Sequence, residues 1–187
     1  MSNPNPLIVA LLVTLTTASA ARAQGPQAIE VGGGIGTAIS WWGALGGGDV
    51  RVTVPLNPRF AVEGFVAILA ADTRVTNGAY AVQIKQRLRR GAGPASHAFM
   101  TYGVMGGFTR YRTDEYRYTA NGSPVVIPAR TYSSVSPPVI GLIGGGVQRD
   151  ISRHLAVRVE AQAVMLLVLP VAARLAVGVS VPLGHLK

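Results

Sequence analysis

The amino-acid sequence predicts an all-β protein, an eight-stranded antiparallel up-and-down transmembrane β-barrel. The 187-residue chain is 49% hydrophobic and only 13% charged, about half the charged fraction of an average soluble domain. Apolar and polar residues alternate with the period of two that is typical of β-strands in repeated segments. These segments number eight, which is even and is the smallest size of a single-chain transmembrane barrel.

The first 23 residues are predicted to be a cleaved signal peptide. Residues 7–17 form an apolar run that is shorter than the roughly 20 residues a transmembrane helix needs. Ala21-Arg22-Ala23 fits an A-x-A cleavage site before Gln24. Because residues 1–6 contain no lysine or arginine, an uncleaved N-terminal helix is the alternative. The barrel domain is predicted over residues 24–187.

In chain order, the predicted strands are 28–42, 47–56, 59–71, 79–89, 97–115, 126–149, 154–168 and 172–183. In the seventh strand, Leu155, Val157 and Val159 alternate with Arg158 and Glu160. Compact turns at 57–58, 91–96 and 150–153 alternate with loops at 43–46, 72–78 and 113–138. Short turns on one side and longer loops on the other are typical of outer-membrane barrels.

Alternation alone does not separate a membrane barrel from a soluble secreted β-sandwich, because both produce the same pattern. The aromatic residues favour the barrel, since several fall at strand ends, where interfacial girdles are expected. Four are predicted at the outer interface and two at the periplasmic one. The predicted girdles are Trp41, Trp42, Tyr80 and Tyr111 outside, and Phe60 and Phe99 on the periplasmic side.

The signal peptide, the eight runs and segments such as 46–52 (GGGDVRV) and 177–183 (VGVSVPL) resemble the small outer-membrane β-barrel family. That family includes opacity-type proteins and the barrel domain of outer-membrane protein A. The resemblance implies a monomer in a Gram-negative outer membrane, surrounded by its lipids and inserted by the barrel-assembly machinery. Family members commonly end in an aromatic residue, whereas this chain ends Gly184-His185-Leu186-Lys187.

No catalytic, cofactor-binding or metal site is predicted, and the protein is not expected to be an enzyme. The chain has no cysteine, and its three histidines, His97, His154 and His185, do not share ligand spacing on one strand. A lipid-modifying barrel enzyme is kept only as a remote alternative, since these histidines fall at the periplasmic end. The net charge of +9 comes from scattered arginines, which argues against nucleic-acid binding.

The polar face predicts a lumen filled by charged side chains. Arg51 is expected to face Glu63, and Glu160 to face Arg174, because each pair lies on consecutive strands. The predicted function is therefore a structural or surface-interaction barrel that displays residues 113–138. An excess of positive charge keeps a small anion-leaning pore or solute transporter as the alternative. The predicted interior charges are Arg51, Glu63, Lys85, Arg87, Arg158, Glu160 and Arg174.

Overall fold

The structure is a computed structural model that describes residues 28–40, 43–71, 74–90, 96–121, 123–166 and 169–183. The predicted signal peptide and its cleavage site, Trp41 and Trp42 lie outside the described residues. Nowhere in these ranges does a helix have the length and hydropathy needed to span a bilayer.

The described residues form strands joined by turns and short irregular segments. The strands are β1 (Glu30–Ser40), β2 (Gly43–Pro55), β3 (Phe60–Ala71), β4 (Val75–Arg90), β5 (Ser96–Thr113), β6 (Tyr116–Ala120), β7 (Ser123–Ile127), β8 (Arg130–Val135), β9 (Ile140–Ser152), β10 (Leu155–Leu166) and β11 (Leu169–Pro182).

Eight of these strands close into an antiparallel barrel with the ring order β1-β2-β3-β4-β5-β9-β10-β11. The ring closes because β1 pairs with β11 from Glu30↔Pro182 to Ser40↔Ala172, and because β4 pairs with β5. Closure gives each ring strand a partner on both sides, which a sheet needs if its backbone is to stand in hydrocarbon. The predicted fold class, an eight-stranded antiparallel up-and-down barrel, is confirmed.

The two ends of the barrel differ. The terminal end carries the turns at 56–59 and 153–154. There the beginning of β1 and the end of β11 also meet, where the Leu183 amide donates to the Ile29 carbonyl at 2.6 Å. The loop end is opposite and carries β6, β7 and β8. The predicted loop at 43–46 is wrong, because Gly43–Gly46 pair with residues 37–40 of β1. The glycines that suggested a loop fit a closely paired strand equally well.

The predicted sixth strand, 126–149, is divided among β7, β8 and β9. The breaks fall at 128–129 and 136–139, which contain Pro128, Pro137 and Pro138. Proline has no amide hydrogen to donate to a strand ladder, so pairing is interrupted where it occurs.

Residues 108–121 and 123–135 form one long hairpin, here called the ribbon, that extends from the loop end. A single register runs from Phe108↔Val135 to Ala120↔Ser123. At about 3.3 Å per residue, the ribbon is on the order of 40 Å long. Asn121 opens the tip turn with a φ of 51°, a left-handed conformation that asparagine tolerates and that two-residue hairpin turns require.

The barrel has an apolar outside and a polar inside. On seven of the eight ring strands, all but β1, buried polar and charged residues point into the lumen. Large apolar side chains on the outer wall are exposed. This is the inverse of a soluble barrel and is the arrangement of a barrel surrounded by lipid. Exposed outer-wall residues include Ile35, Val50, Ile68, Val82, Met100, Tyr102, Val104, Ile143, Val147, Val159, Leu175, Val177, Val179 and Val181.

Candidate functional site

Polar side chains from every ring strand meet inside the barrel in two hydrogen-bonded groups, which the Phe99 ring joins because Lys85 and Arg158 both lie over it. Their members occupy lumen-facing positions from the terminal end to beyond the middle of the strands. The lumen network consists of Glu30, Asp49, Arg51, Thr53, Glu63, Gln83, Lys85, Thr101, Gln148, Arg158, Glu160, Gln162, Arg174 and Ser180.

Glu63 is the centre of this network and is 0% exposed. It accepts hydrogen bonds from Gln83 Nε2 at 2.6 Å, Thr53 Oγ1 at 2.9 Å and Arg158 Nη2 at 3.0 Å, and Arg158 Nη1 also pairs with it. β3 and β10 stand four places apart in the eight-membered ring. The Glu63–Arg158 pair therefore spans the full width of the lumen.

Arg51 and Glu160 make a second crossing. Arg51 Nη1 donates to Glu160 Oε2 at 2.9 Å, and the same guanidinium contacts Asp49 Oδ1 through Nε at 2.9 Å and Nη2 at 2.7 Å. Arg158 Nη2 lies 2.6 Å from Glu160 Oε2. The expected Arg51–Glu63 pair is long, at 3.8 Å between Nη1 and Oε1, so Arg51 is held mainly by Asp49 and Glu160.

The expected pairing of Glu160 with Arg174 is wrong. Arg174 instead pairs with Asp49 and donates from Nη1 to Gln162 Oε1 at 2.9 Å. The register of β10 against β11 explains this, since it places Gln162 opposite Arg174 and Ala176 opposite Glu160. The sequence predicted that these two strands are neighbours. It did not predict their register, which decides which residues are opposite one another.

Asp49 is the charge that the predicted interior set omitted. With it, the described buried residues comprise four cations (Arg51, Lys85, Arg158, Arg174) and three anions (Asp49, Glu63, Glu160). Half-buried Glu30 accepts from Gln148 Nε2 at 3.3 Å at the terminal end. The signal was present in the sequence, since Asp49 precedes Arg51 by two residues and so shares its face. The positive excess that suggested an anion pore is therefore much smaller than expected.

Arg87 lies on the same face of β4 as the lumen-facing residues Gln83 and Lys85, but its side chain is exposed at the terminal end. It lines an open cavity of about 510 Å³ together with Glu30, Gln148 and Asp150. Lys85 lies deeper, buried, and donates to Gln148 Oε1 at 2.6 Å. Among the histidines, His97 is buried at the start of β5 and His154 lies in a turn, while His185 is outside the described residues.

The prediction that Phe99 belongs to an interfacial girdle is wrong. Phe99 is 1% exposed and lies in the lumen, where Lys85 Nζ and the Arg158 guanidinium stand 4.8 Å and 4.4 Å from its ring centre. Its strand partner Gly146 leaves the space that the ring fills, since a Cβ there would stand 2.7 Å from Phe99 Cζ. Its position near the end of the strand suggested an interface, but Phe99 shares the face of β5 that carries His97 and Thr101, which points inward.

Of the other predicted girdle residues that the structure describes, two lie on the outer face of the barrel and one does not. Phe60 starts β3 on the outer face, half-buried. Tyr80 is also on the outer face, where its hydroxyl donates to the Ser136 carbonyl at 2.6 Å. Tyr111 is exposed and is opposite Tyr132 of β8. It lies on the same face of β5 as the lumen-facing residues, so it does not face lipid.

Above the network, towards the loop end, the lumen holds an apolar cluster, here called the apolar cap. Hydrophobic side chains from six of the ring strands meet there, and the Arg174 guanidinium lies 4.9 Å from the ring centre of Phe65, one of its members. A charged layer and an apolar layer therefore lie one above the other inside the barrel. The apolar cap consists of Phe65, Ala67, Ala81, Leu142 and Val164, with Leu69, Met105, Ile140, Val171 and Ala172 packed against it.

The tip of the ribbon exposes aromatic and aliphatic side chains. The rings of Tyr116 and Tyr118 stack with their centres 5.8 Å apart. Ile127 is opposite Tyr116 and Val126 is opposite Arg117, and all of these side chains are exposed. Exposed tyrosine on a stiff support is typical of protein interaction surfaces.

Comparison with known proteins finds similarity of fold only. No family model and no curated protein matches the chain. Neisserial surface protein A has 13% identity and a TM-score of 0.49, with 84% of this chain and 97% of that one covered. Ail, the attachment invasion locus protein of Yersinia pestis, has 13% identity and a TM-score of 0.46 over 83% and 96%. A de novo designed transmembrane β-barrel has 12% identity and a TM-score of 0.49 over 84% and 97%.

Proposed function

We propose that this chain is an outer-membrane barrel with a structural or surface-interaction role, closed to bulk flow, that displays its ribbon outside the cell. The observation that carries the proposal is the ribbon tip, where Tyr116, Tyr118 and Ile127 are uncovered. A solute path needs an open lumen, whereas the lumen here is filled by paired side chains. The only large element outside the ring among the described residues is the ribbon.

The location rests on the outer wall. Exposed aliphatic residues on every side of a closed barrel would aggregate in water, but they suit hydrocarbon. Short turns lie at the terminal end and the ribbon at the loop end, so the loop end is proposed to face outward. The predicted cleavage before Gln24 remains part of this proposal, as do insertion by the barrel-assembly machinery and a monomeric state.

A test of location is fractionation of cells that express the full chain. The protein is expected in the outer-membrane fraction and is expected to stay there after a carbonate wash, because its apolar wall holds it in lipid. The N-terminal residue of the recovered protein should be Gln24. Recovery of the protein in the soluble periplasmic fraction would contradict the proposal and favour the secreted sandwich.

A test of closure is single-channel recording of the refolded barrel. We expect the wild type to be nearly silent. Glu160→Gln alone should also stay nearly silent, because the apolar cap still blocks the lumen, and Phe65→Ala alone should stay silent because the lumen network remains. Only the double variant should conduct, since two closures in series must both open. Large, steady conductance of the wild type would instead support the pore.

A test of the surface role is adhesion of cells that carry the protein in their outer membrane. Cells with the wild type should adhere to epithelial monolayers, to extracellular-matrix proteins or to one another more than cells with an empty vector. Tyr116→Ser with Tyr118→Ser should lower that adhesion towards the vector level, because it removes the stacked pair at the tip. Tyr132→Ser, which is lower on the ribbon and equally exposed, is the control. No adhesion by the wild type on any of these surfaces would count against the role.

A further inference from the structure

At the loop end, β4 and β5 continue beyond the barrel and form a small raised sheet with β8. The first residues of β4 pair with the upper part of β5, with Thr76 opposite Arg110. β8 pairs with the other edge of β5, so that Ser133 is also opposite Arg110. One step higher, the Arg112 amide donates to the Arg74 carbonyl at 2.7 Å.

Directly opposed residues of an antiparallel pair project to the same face, so this register defines three rows on one side of the raised sheet. We name that side the basic face. From the barrel upward, its rows are Gly78, Phe108 and Val135, then Thr76, Arg110 and Ser133, then Arg74, Arg112 and Thr131.

The basic face continues the lipid-facing wall of the barrel. On β5, Met100, Tyr102 and Val104 are exposed on the outer wall and share the even parity of Phe108 and Arg110. From Ala98 to Phe108 the strand rises about 25 Å, taking about 3.3 Å per residue and a tilt of about 40°. An apolar belt of a transmembrane barrel has about that height. An apolar belt that begins at Ala98 therefore ends at Phe108, and Arg110 is the next residue on the lipid side.

Two of the three arginines on this face have no carboxylate partner among the described residues. Arg74 Nη2 is 2.6 Å from Asp114 Oδ2. Arg110 and Arg112 are exposed, and within the described chain no ion pair involves either one. The face thus offers two free guanidinium groups beside the hydroxyls of Thr131 and Ser133. A planar guanidinium matches the oxygen geometry of a phosphate group, and hydroxyls supply further donors.

We propose that the basic face binds the phosphate groups of a phosphorylated lipid in the leaflet that surrounds the loop end. The inference rests on the proposed membrane location. A lipid is favoured over a soluble anion because the arginines stand directly above an apolar wall: acyl chains that pack on Val104 and Phe108 bring a headgroup to the height of Arg110 and Arg112. The opposite face of the ribbon has arginines too, Arg117 and Arg130, but no lipid wall lies beneath them.

The test is lipid binding by the full chain, folded in detergent micelles and measured by native mass spectrometry. Diphosphoryl lipid A is the probe, and phosphatidylcholine, which has no net charge, is the comparison lipid. The wild type should prefer diphosphoryl lipid A, because its two phosphate groups carry net negative charge whereas choline neutralises the single phosphate of phosphatidylcholine. Arg110→Gln with Arg112→Gln should weaken its binding by about tenfold or more, as expected from the loss of charge-assisted hydrogen bonds.

Arg117→Gln with Arg130→Gln is the matched control, since it removes the same charge from the other face of the same ribbon. It should leave binding within about twofold of wild type, a difference of less than about 0.5 kcal/mol. Equal loss in both double variants, or no preference for the phosphorylated lipid, would overturn the inference. Competition by inorganic phosphate at the same concentration as the lipid would also overturn it, because the site would then bind free phosphate. Since folding and membrane fractionation are measured separately, failure here is distinct from failure of the proposed location.

Discussion

Replacing Glu63 with alanine is expected to lower the stability of the folded barrel by about 3–5 kcal/mol, the cost of removing one partner from a buried ion pair. Glu63 is fully buried and accepts from Arg158, Gln83 and Thr53. Its removal leaves the Arg158 guanidinium in the lumen with Glu160 as its remaining carboxylate partner among the described residues. Glu63→Gln keeps the size and one acceptor oxygen, so its effect should be smaller.

The measurement is urea unfolding of the refolded barrel in lipid vesicles. Glu115→Ala is the control, because Glu115 also pairs with an arginine, at 2.5 Å from Arg117, but on the exposed ribbon. An exposed pair contributes about 0–1 kcal/mol, so this variant should unfold close to wild type. Similar unfolding midpoints for the two alanine variants would mean that Glu63 is not the centre of the lumen network.

Arginine in place of Val177 is expected to destabilise the barrel in a bilayer by about 2–4 kcal/mol, the cost of a cation on the lipid face near the midplane. Val177 lies near the middle of β11 and points away from the lumen, between Ile35 and Val159 of its neighbouring strands. Its side chain is exposed in the structure, so it makes few contacts to lose. The cost comes from the surroundings of the charge.

Val126→Arg on the ribbon provides a control of nearly equal exposure. Val177 is 51% exposed and Val126 is 50% exposed, so a protein in water would tolerate both substitutions equally. In a bilayer only Val177→Arg should shift the unfolding midpoint, since Val126 stands beyond the hydrocarbon. Equal and small effects of the two substitutions would show that the outer wall of β11 does not contact lipid.

The alternation of residues was sufficient to predict most of the strands and most of their faces. Val157 and Val159 alternate with Arg158 and Glu160 because a strand sends successive side chains to opposite sides, whatever the rest of the chain does. Asn121 occupies the ribbon turn for a similarly local reason, since few residues adopt its left-handed conformation at low cost. The even number of runs favoured a closed barrel, but which face of each strand points outward was decided only by the structure.

Local sequence patterns could not predict which charged residues pair with one another inside the lumen. Glu63 and Arg158 are 95 residues apart, and Arg51 and Glu160 are 109 apart. Such pairs depend on which strands stand opposite one another in the closed ring and on the register between every pair of neighbours. That is why Arg174 pairs with Asp49 rather than Glu160, and why Phe99 fills the space over Gly146. The sequence by itself determined which face each charge occupies; only the tertiary structure decided which charge it meets, because barrel closure and register set the distances across the lumen.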